Sequence, residues 1–221
     1  MKSDIVKATR YKINIWRRYF NWSKANCIFV HVPKAAGTSV NKAIYGRTLG
    51  HYSACEIQEK FPKLYERVFT FSLVRNPWDR VLSAYRFACV GRTDSMGVNN
   101  PGQYRIPEFG SFERFVCEWL PKQNVDRLDY IFRPQWMFVC DERGQVMVDH
   151  LGRIEEMNAT VEILADKLGQ KISIKNENST RSSRENDFRE AYTRPEMIDI
   201  VRSVYGRDID LFKYSFDSER G

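Results

Sequence analysis

The stretch that decides the fold is IFVHVPKAAGTSVNKAIYG, residues 28–46. It opens with Ile28 to Val32, short, apolar and β-branched, the pattern of a buried strand. A turn of proline, alanine and glycine follows, and Thr38 or Ser39 is placed to cap a helix running to about Tyr45. A strand that passes into a helix through such a turn presents backbone N–H groups and the positive end of the helix dipole, which favour an anion. Gly37 permits close backbone approach, and the Thr38 and Ser39 hydroxyls add donors. The spacing departs from the loop that holds nucleoside triphosphates, G-x-x-x-x-G-K-[ST], whose lysine follows the last glycine. Here Lys34 comes before Gly37, on the strand side of the loop. A helix after a proline turn, with Lys34 merely exposed, is the plain alternative.

Outward from this stretch, VFTFSLV (residues 68–74) reads as a second buried strand. It runs into RNPWDRVLSAYRFACV, where Pro77 suits a first helical position and Val81, Leu82, Tyr85 and Phe87 form an apolar face. The stretch 91–110 is rich in turn formers and reads as a mobile lid or binding loop. SFERFVCEWL (111–120) resumes as a helix and QVMVDHLG (145–152) as a strand. Asn158 is placed to cap ATVEILADKLG, which Gly169 closes. The polar segment 175–187 precedes a last helical region and the ending DIDLFKYSF. Strands alternating with helices imply an α/β fold with a mainly parallel central sheet flanked by helices.

With 221 residues the chain suits one domain, residues 25–221, behind a basic and aromatic extension over residues 1–24. A net charge of +7 favours anionic partners such as nucleotides, acidic glycans, nucleic acid or lipid headgroups, without choosing among them. The cysteines, Cys27, Cys55, Cys89, Cys117 and Cys140, form no C-x-x-C pair and read mostly as buried thiols of a reducing compartment. Neither they nor the scattered histidines suggest a metal site. No apolar run is long enough to span a membrane, and the first residues lack the apolar core of a signal peptide. The extension mixes Ile13, Ile15, Trp16, Tyr19, Phe20 and Trp22 with Lys12, Arg17 and Arg18, which suits a helix packed on its own domain, or one lying on a membrane surface.

In open α/β sheets ligands sit beyond the carboxyl ends of the strands. The second strand ends in Arg75-Asn76-Pro77, and Ser83 follows in the next helix. A guanidinium at a strand end with a hydroxyl nearby makes a clamp for a second phosphate. An ordinary Arg75–Asp79 ion pair is the competing reading.

These two segments resemble those of sulfotransferases that use 3′-phosphoadenosine 5′-phosphosulfate (PAPS). HVPKAAGTSV is similar to the segment that holds the 5′-phosphosulfate, and LVRNPWDRVLSAY to the one that holds the 3′-phosphate. The resemblance is closest to the carbohydrate, or Golgi-type, branch with its heparan, chondroitin and bacterial members, and extends over about residues 27–216. RPQ (133–135), GRIEEM (152–157) and YGRDIDLFKYSF (205–216) are further similar pieces. The resemblance implies a P-loop-kinase-like sulfotransferase fold. It implies donor contacts from Pro33, Lys34, Ala35, Ala36, Gly37, Thr38 and Ser39 at one end, and from Arg75 and Ser83 at the other. Ser179, Thr180 and Arg181 then belong to a segment closing over the nucleotide, with a plain linker as the alternative.

The early lysine then has a reason. In sulfuryl transfer negative charge builds on the oxygen between sulfur and the 5′-phosphate, and an ammonium beside it stabilises the transition state. The leaving phosphate departs readily, so no metal is expected. The acceptor hydroxyl needs a base, and histidine suits neutral pH. His51, between the two donor segments, is the residue the resemblance favours; a surface histidine after a Gly50 turn is the alternative. His31 reads as structural, His150 has little claim, and Glu56 is the reserve. Arg92, Tyr104, Arg105 and Phe109, in or beside the long loop, are candidates to meet a saccharide.

The leading expectation is a PAPS-dependent transfer to a hydroxyl of a carbohydrate-containing acceptor. An ATP-dependent phosphotransferase and a basic nucleic-acid or membrane-surface binding protein are the alternatives. The first is opposed by the lysine position, the second by the lack of a base-reading motif. A soluble cytoplasmic enzyme is expected, with a trimmed Golgi lumenal domain as the alternative.

Overall fold

The computed structural model describes residues 2–92, 97–98, 100–174 and 187–217, without the side chains of residues 2–13. Cys27–Val30 forms β1 and Phe69–Val74 forms β2, and the two pair in parallel with Cys27 opposite Phe69 and Val30 opposite Ser72. With His150–Arg153 as β3 they make one parallel sheet in the order β1-β2-β3, flanked by helices. The expected α/β architecture is therefore the observed one. Two polar groups inside β2 are satisfied: Ser72 Oγ donates to the Val30 carbonyl at 2.6 Å, and Asp149 accepts from both the amide and the hydroxyl of Thr70. That Asp149 latch explains why the third strand begins later than its alternation suggests. Upstream of it, Met147 N bonds to the Val139 carbonyl and Cys140 forms a lone bridge with Val146.

By its contacts the chain divides into two compact units. The first, Met1–Val32, Ala36–Leu73 and Phe138–Asn178, holds the sheet. In it the long helix α1 (Lys2–Ala25) buries Ile15 and Trp22, and the rings of Trp16 and Trp22 meet Phe61 edge-on. Helix α2 (Gly37–Tyr45) returns along edge strand β1, where the Tyr45 hydroxyl accepts from Phe29 N and donates to the Cys27 carbonyl. This fills the free edge of the sheet. A capping box of Ser53 and Glu56 starts α3 (Ala54–Lys60), and Pro62 opens α4 (Pro62–Arg67).

The second unit, Pro33–Ala35, Val74–Met137 and Ser179–Gly221, is helical. Asn76 caps α5 (Pro77–Val90) through the Trp78 amide. Helix α6 (Phe112–Arg114) widens into a π turn over Phe115–Trp119 and tightens again before Pro121, which lacks an N–H to continue it. Its core is aromatic, with Phe115, Trp119 and Phe132 packed around Phe109 and Tyr104. The short α7 (Trp136–Val139) leads back to the first unit, where α8 (Met157–Leu168) lies, and α9 (Pro195–Phe212) packs in the second.

Several local expectations need correction. Thr38 and Ser39 are not caps: α2 starts at Gly37, and its N-cap is Ala36 in the left-handed region. Asn158 lies inside α8, whose N-cap is Glu156, while Gly169 does close it at φ +62°. Where described, residues 91–110 form a bridge between Arg92 and Gly97 and two tight 3₁₀ turns. Tyr104 and Phe109 are buried there, not presented to solvent. Of the cysteines, only Cys27 and Cys140 are buried; Cys55 and Cys89 are exposed. Among the described residues no helix is long and apolar enough to cross a membrane.

Candidate active site

Two residues of the turn before α2, Lys34 at φ +67° and Ala36 at φ +55°, adopt the left-handed conformation that non-glycine residues avoid at a cost of roughly 1–2 kcal/mol each. Ala35 between them does not, so the backbone alternates in hand, an arrangement that gathers successive N–H groups on one side. The first turn of α2 has no side-chain cap and no acidic residue. Its positive end is thus not neutralised from within the helix.

In the second unit, α5 offers one face made by Asp79, Ser83 and Phe87, each four residues from the next. Arg75, just before the helix, forks onto Asp79, with Nε to Oδ2 at 2.9 Å and Nη2 to Oδ1 at 2.7 Å. Its Nη1 donates to the Lys34 carbonyl at 3.1 Å. The Lys34 ammonium lies 4.2 Å from the centre of the Phe87 ring, a cation–π contact. Lys34, Arg75 and Ser83 are therefore brought to one helix face. The Arg75–Asp79 ion pair of the competing reading is present too, and it orients the guanidinium while leaving its other N–H groups outside that fork.

Lys34 is half-buried, and its pKa is lowered to about 8, first by burial and then by the like charges of Arg75 and Arg80. Such a cluster favours an anion.

In the first unit two of the three histidines lie together. The ring centres of His31 and His51 are 4.0 Å apart, and His51 Nδ1 lies 3.2 Å from the His31 carbonyl. A carbonyl only accepts, so Nδ1 carries the proton and the lone pair of neutral His51 is on Nε2. His51 is half-buried and suited to accept a proton at that atom. His31 is buried against Gly37: a Cβ at residue 37 would fall 1.8 Å from His31 Cδ2 and 1.9 Å from Nε2. The close approach that requires glycine there is made by an imidazole.

Glu56, the reserve base, spends its carboxylate on the Ser53 amide and hydroxyl in the capping box. His150 opens β3, and burial lowers its pKa. Arg92 and Arg105 are exposed. Ser179, Thr180 and Arg181 lie outside the described residues. Among the described residues no group of three or more His, Cys, Asp or Glu could hold a metal ion.

Sequence reasoning gave no role to the groups that hold Arg75. Gln135 brackets its backbone, accepting from Arg75 N and donating to its carbonyl, both at 2.9 Å. Asp208 in turn accepts from the amides of Gln135 and Trp136, both at 2.8 Å. Arg80, fully buried, donates to the carbonyls of Pro33, Ile131 and Arg133. The only sequence signals were that Gln135 and Asp208 fall in RPQ and YGRDIDLFKYSF, and that Arg80 interrupts an apolar helix face.

A comparison with curated proteins and one with solved structures returned no match. A sequence model of the sulfotransferase family matches residues 17–215, which take in both donor-type segments, the histidine pair and the Gln135–Asp208 support. The chain belongs to the sulfotransferase family, whose chemistry is transfer of a sulfuryl group.

Proposed function

We propose that the protein transfers the sulfuryl group of PAPS to a hydroxyl of a carbohydrate-containing acceptor. The observation that carries this reading is that Lys34 and Arg75 meet beside the face of α5 on which Ser83 lies, with the Lys34 pKa lowered first by burial and then by the cations around it. A ligand with two separated anionic groups answers that arrangement. The loop from Pro33 to Ser39 takes the 5′-phosphosulfate, and Arg75 with Ser83 takes the 3′-phosphate. The acceptor oxygen attacks sulfur in line, and the bond from sulfur to the bridging oxygen breaks. His51 Nε2 receives the hydroxyl proton, and the Lys34 ammonium meets the charge growing on the departing phosphate. The products are a sulfate ester and adenosine 3′,5′-bisphosphate, with no covalent enzyme intermediate. The carbohydrate acceptor rests on the resemblance of the two segments to the Golgi-type branch.

Incubation of the purified protein with radiosulfate-labelled PAPS and a panel of glycans tests the reaction. Labelled glycan is expected, with turnover lost in Lys34→Ala and His51→Ala, and weakened donor binding in Arg75→Ala. A protein that fails to bind adenosine 3′,5′-bisphosphate, or that turns over magnesium–ATP instead, removes the proposal.

A further inference from the structure

We infer that Asn41 locks His31 in one neutral tautomer, with its proton on Nε2, and that His31 held in this way is a positioning residue for His51. The inference rests on the reading of His51 as the base.

The argument is a count of donors and acceptors. Asn41 is fully buried in α2. Its amide nitrogen donates to the Gly37 carbonyl at 2.8 Å, and its amide oxygen accepts from the Leu49 amide at 3.3 Å. Turning the amide over would set oxygen against a carbonyl and NH₂ against an N–H, so only one orientation satisfies both. The same nitrogen lies 3.2 Å from His31 Nδ1. A side-chain NH₂ only donates, so His31 Nδ1 must bear a lone pair. The imidazole is then uncharged, with its hydrogen on Nε2.

The ring is packed on two sides. Its Nε2 edge rests against Gly37, where even a methyl group would collide with it. Phe29 stacks on it at 5.8 Å between ring centres. Through its own backbone carbonyl His31 holds the Nδ1 hydrogen of His51, so the two rings carry opposite tautomers. A proton arriving at His51 Nε2 therefore meets an uncharged neighbour 4.0 Å away rather than a second imidazolium. Asn41 does not touch the reacting groups; it acts through His31.

The ¹⁵N spectrum of the unaltered protein, labelled in its imidazoles, reads the tautomers without any reaction. It is expected to place the His31 hydrogen on Nε2 and the His51 hydrogen on Nδ1. A His31 ring protonated on Nδ1 near neutral pH overturns the inference, and this result does not depend on any variant folding. The second measurement is kinetic. Asn41→Asp sets an acceptor where the donor was, so His31 takes up a proton at Nδ1, visible in the same spectrum. We expect kcat to fall about tenfold, part of what a positioned base contributes. The substitution should cost nothing further in the His51→Ala background. Equal losses in both backgrounds, or no loss in either, overturn the positioning role. Full kcat in His51→Ala overturns it together with the base assignment. Absence of nucleotide affinity in the unaltered protein instead removes the donor reading, while the spectrum still decides the tautomers.

Discussion

The ammonium of Lys34 is half-buried beside two guanidinium groups, and its pKa falls from 10.5 to about 8 with burial as the leading cause. Between those values the unfolded chain binds more protons than the folded one, so this residue's share of the stability rises with pH across that window. An anion placed beside Lys34 has the opposite effect and favours the charged form. At pH 8 roughly half of the unliganded protein carries the proton, so binding of adenosine 3′,5′-bisphosphate should take up about half a proton there. Affinity should decline as the pH rises further. Calorimetric titration in buffers of different ionisation heat reads the uptake. An uptake that persists in Lys34→Met would assign the proton to another group. Lys34 and Arg75 were legible in the sequence because a basic residue at a strand end is a local feature. The lowered pKa was not, because its causes are burial and the nearness of Arg75 and Arg80, which lie 41 and 46 positions further along the chain.

The turn into α2 separates two neighbouring small residues by conformation alone. Ala36 sits at φ +55°, where its Cβ is strained, so Ala36→Gly should raise stability by about 1 kcal/mol, read as a higher Tm. Gly37 is already helical, and alanine there improves helix propensity, yet its Cβ would strike the His31 ring. Gly37→Ala should therefore destabilise by roughly 1–3 kcal/mol, as overpacking does. If both substitutions moved Tm the same way, the turn would not have the geometry described. The sequence predicts a helix capped by Thr38 or Ser39 because serine and threonine are usual caps. It starts earlier because the backbone turns left-handed at an alanine, which no propensity favours. That choice is made by tertiary contacts on either side of it: the Arg75 bond to the Lys34 carbonyl and the seat of His31 on Gly37.

Within the second unit, a chain of hydrogen bonds ties the last helix to Arg75. Asp208 holds the amides of Gln135 and Trp136, and Gln135 holds both backbone groups of Arg75. Asp208 is also one of the negative charges acting on buried Arg80. Removing it strands two amide donors and leaves a buried cation with less compensation. Asp208→Ala should cost several kcal/mol in urea unfolding, at roughly 1–3 kcal/mol for each stranded buried donor. In whatever protein remains folded, affinity for adenosine 3′,5′-bisphosphate should fall, because Arg75 loses its bracket. A loss below about 1 kcal/mol would mean that the chain of bonds is not what holds this unit. None of this was visible as a motif, since the partners are far apart in sequence and each is an ordinary polar residue locally.

The alternation of apolar strands with amphipathic helices, and the lysine, glycine and arginine at the strand ends, depend on neighbours within a few residues. For that reason the α/β fold, and the likeness of two segments to those of sulfotransferases, followed from the chain alone. Which caps are used, which face Tyr104 and Phe109 turn inward, which way the His31 and His51 protons point and what supports Arg75 depend on groups far apart in sequence. Those were settled only when packing brought the groups within hydrogen-bond and van der Waals reach, because such interactions act over a few ångströms and are blind to sequence distance.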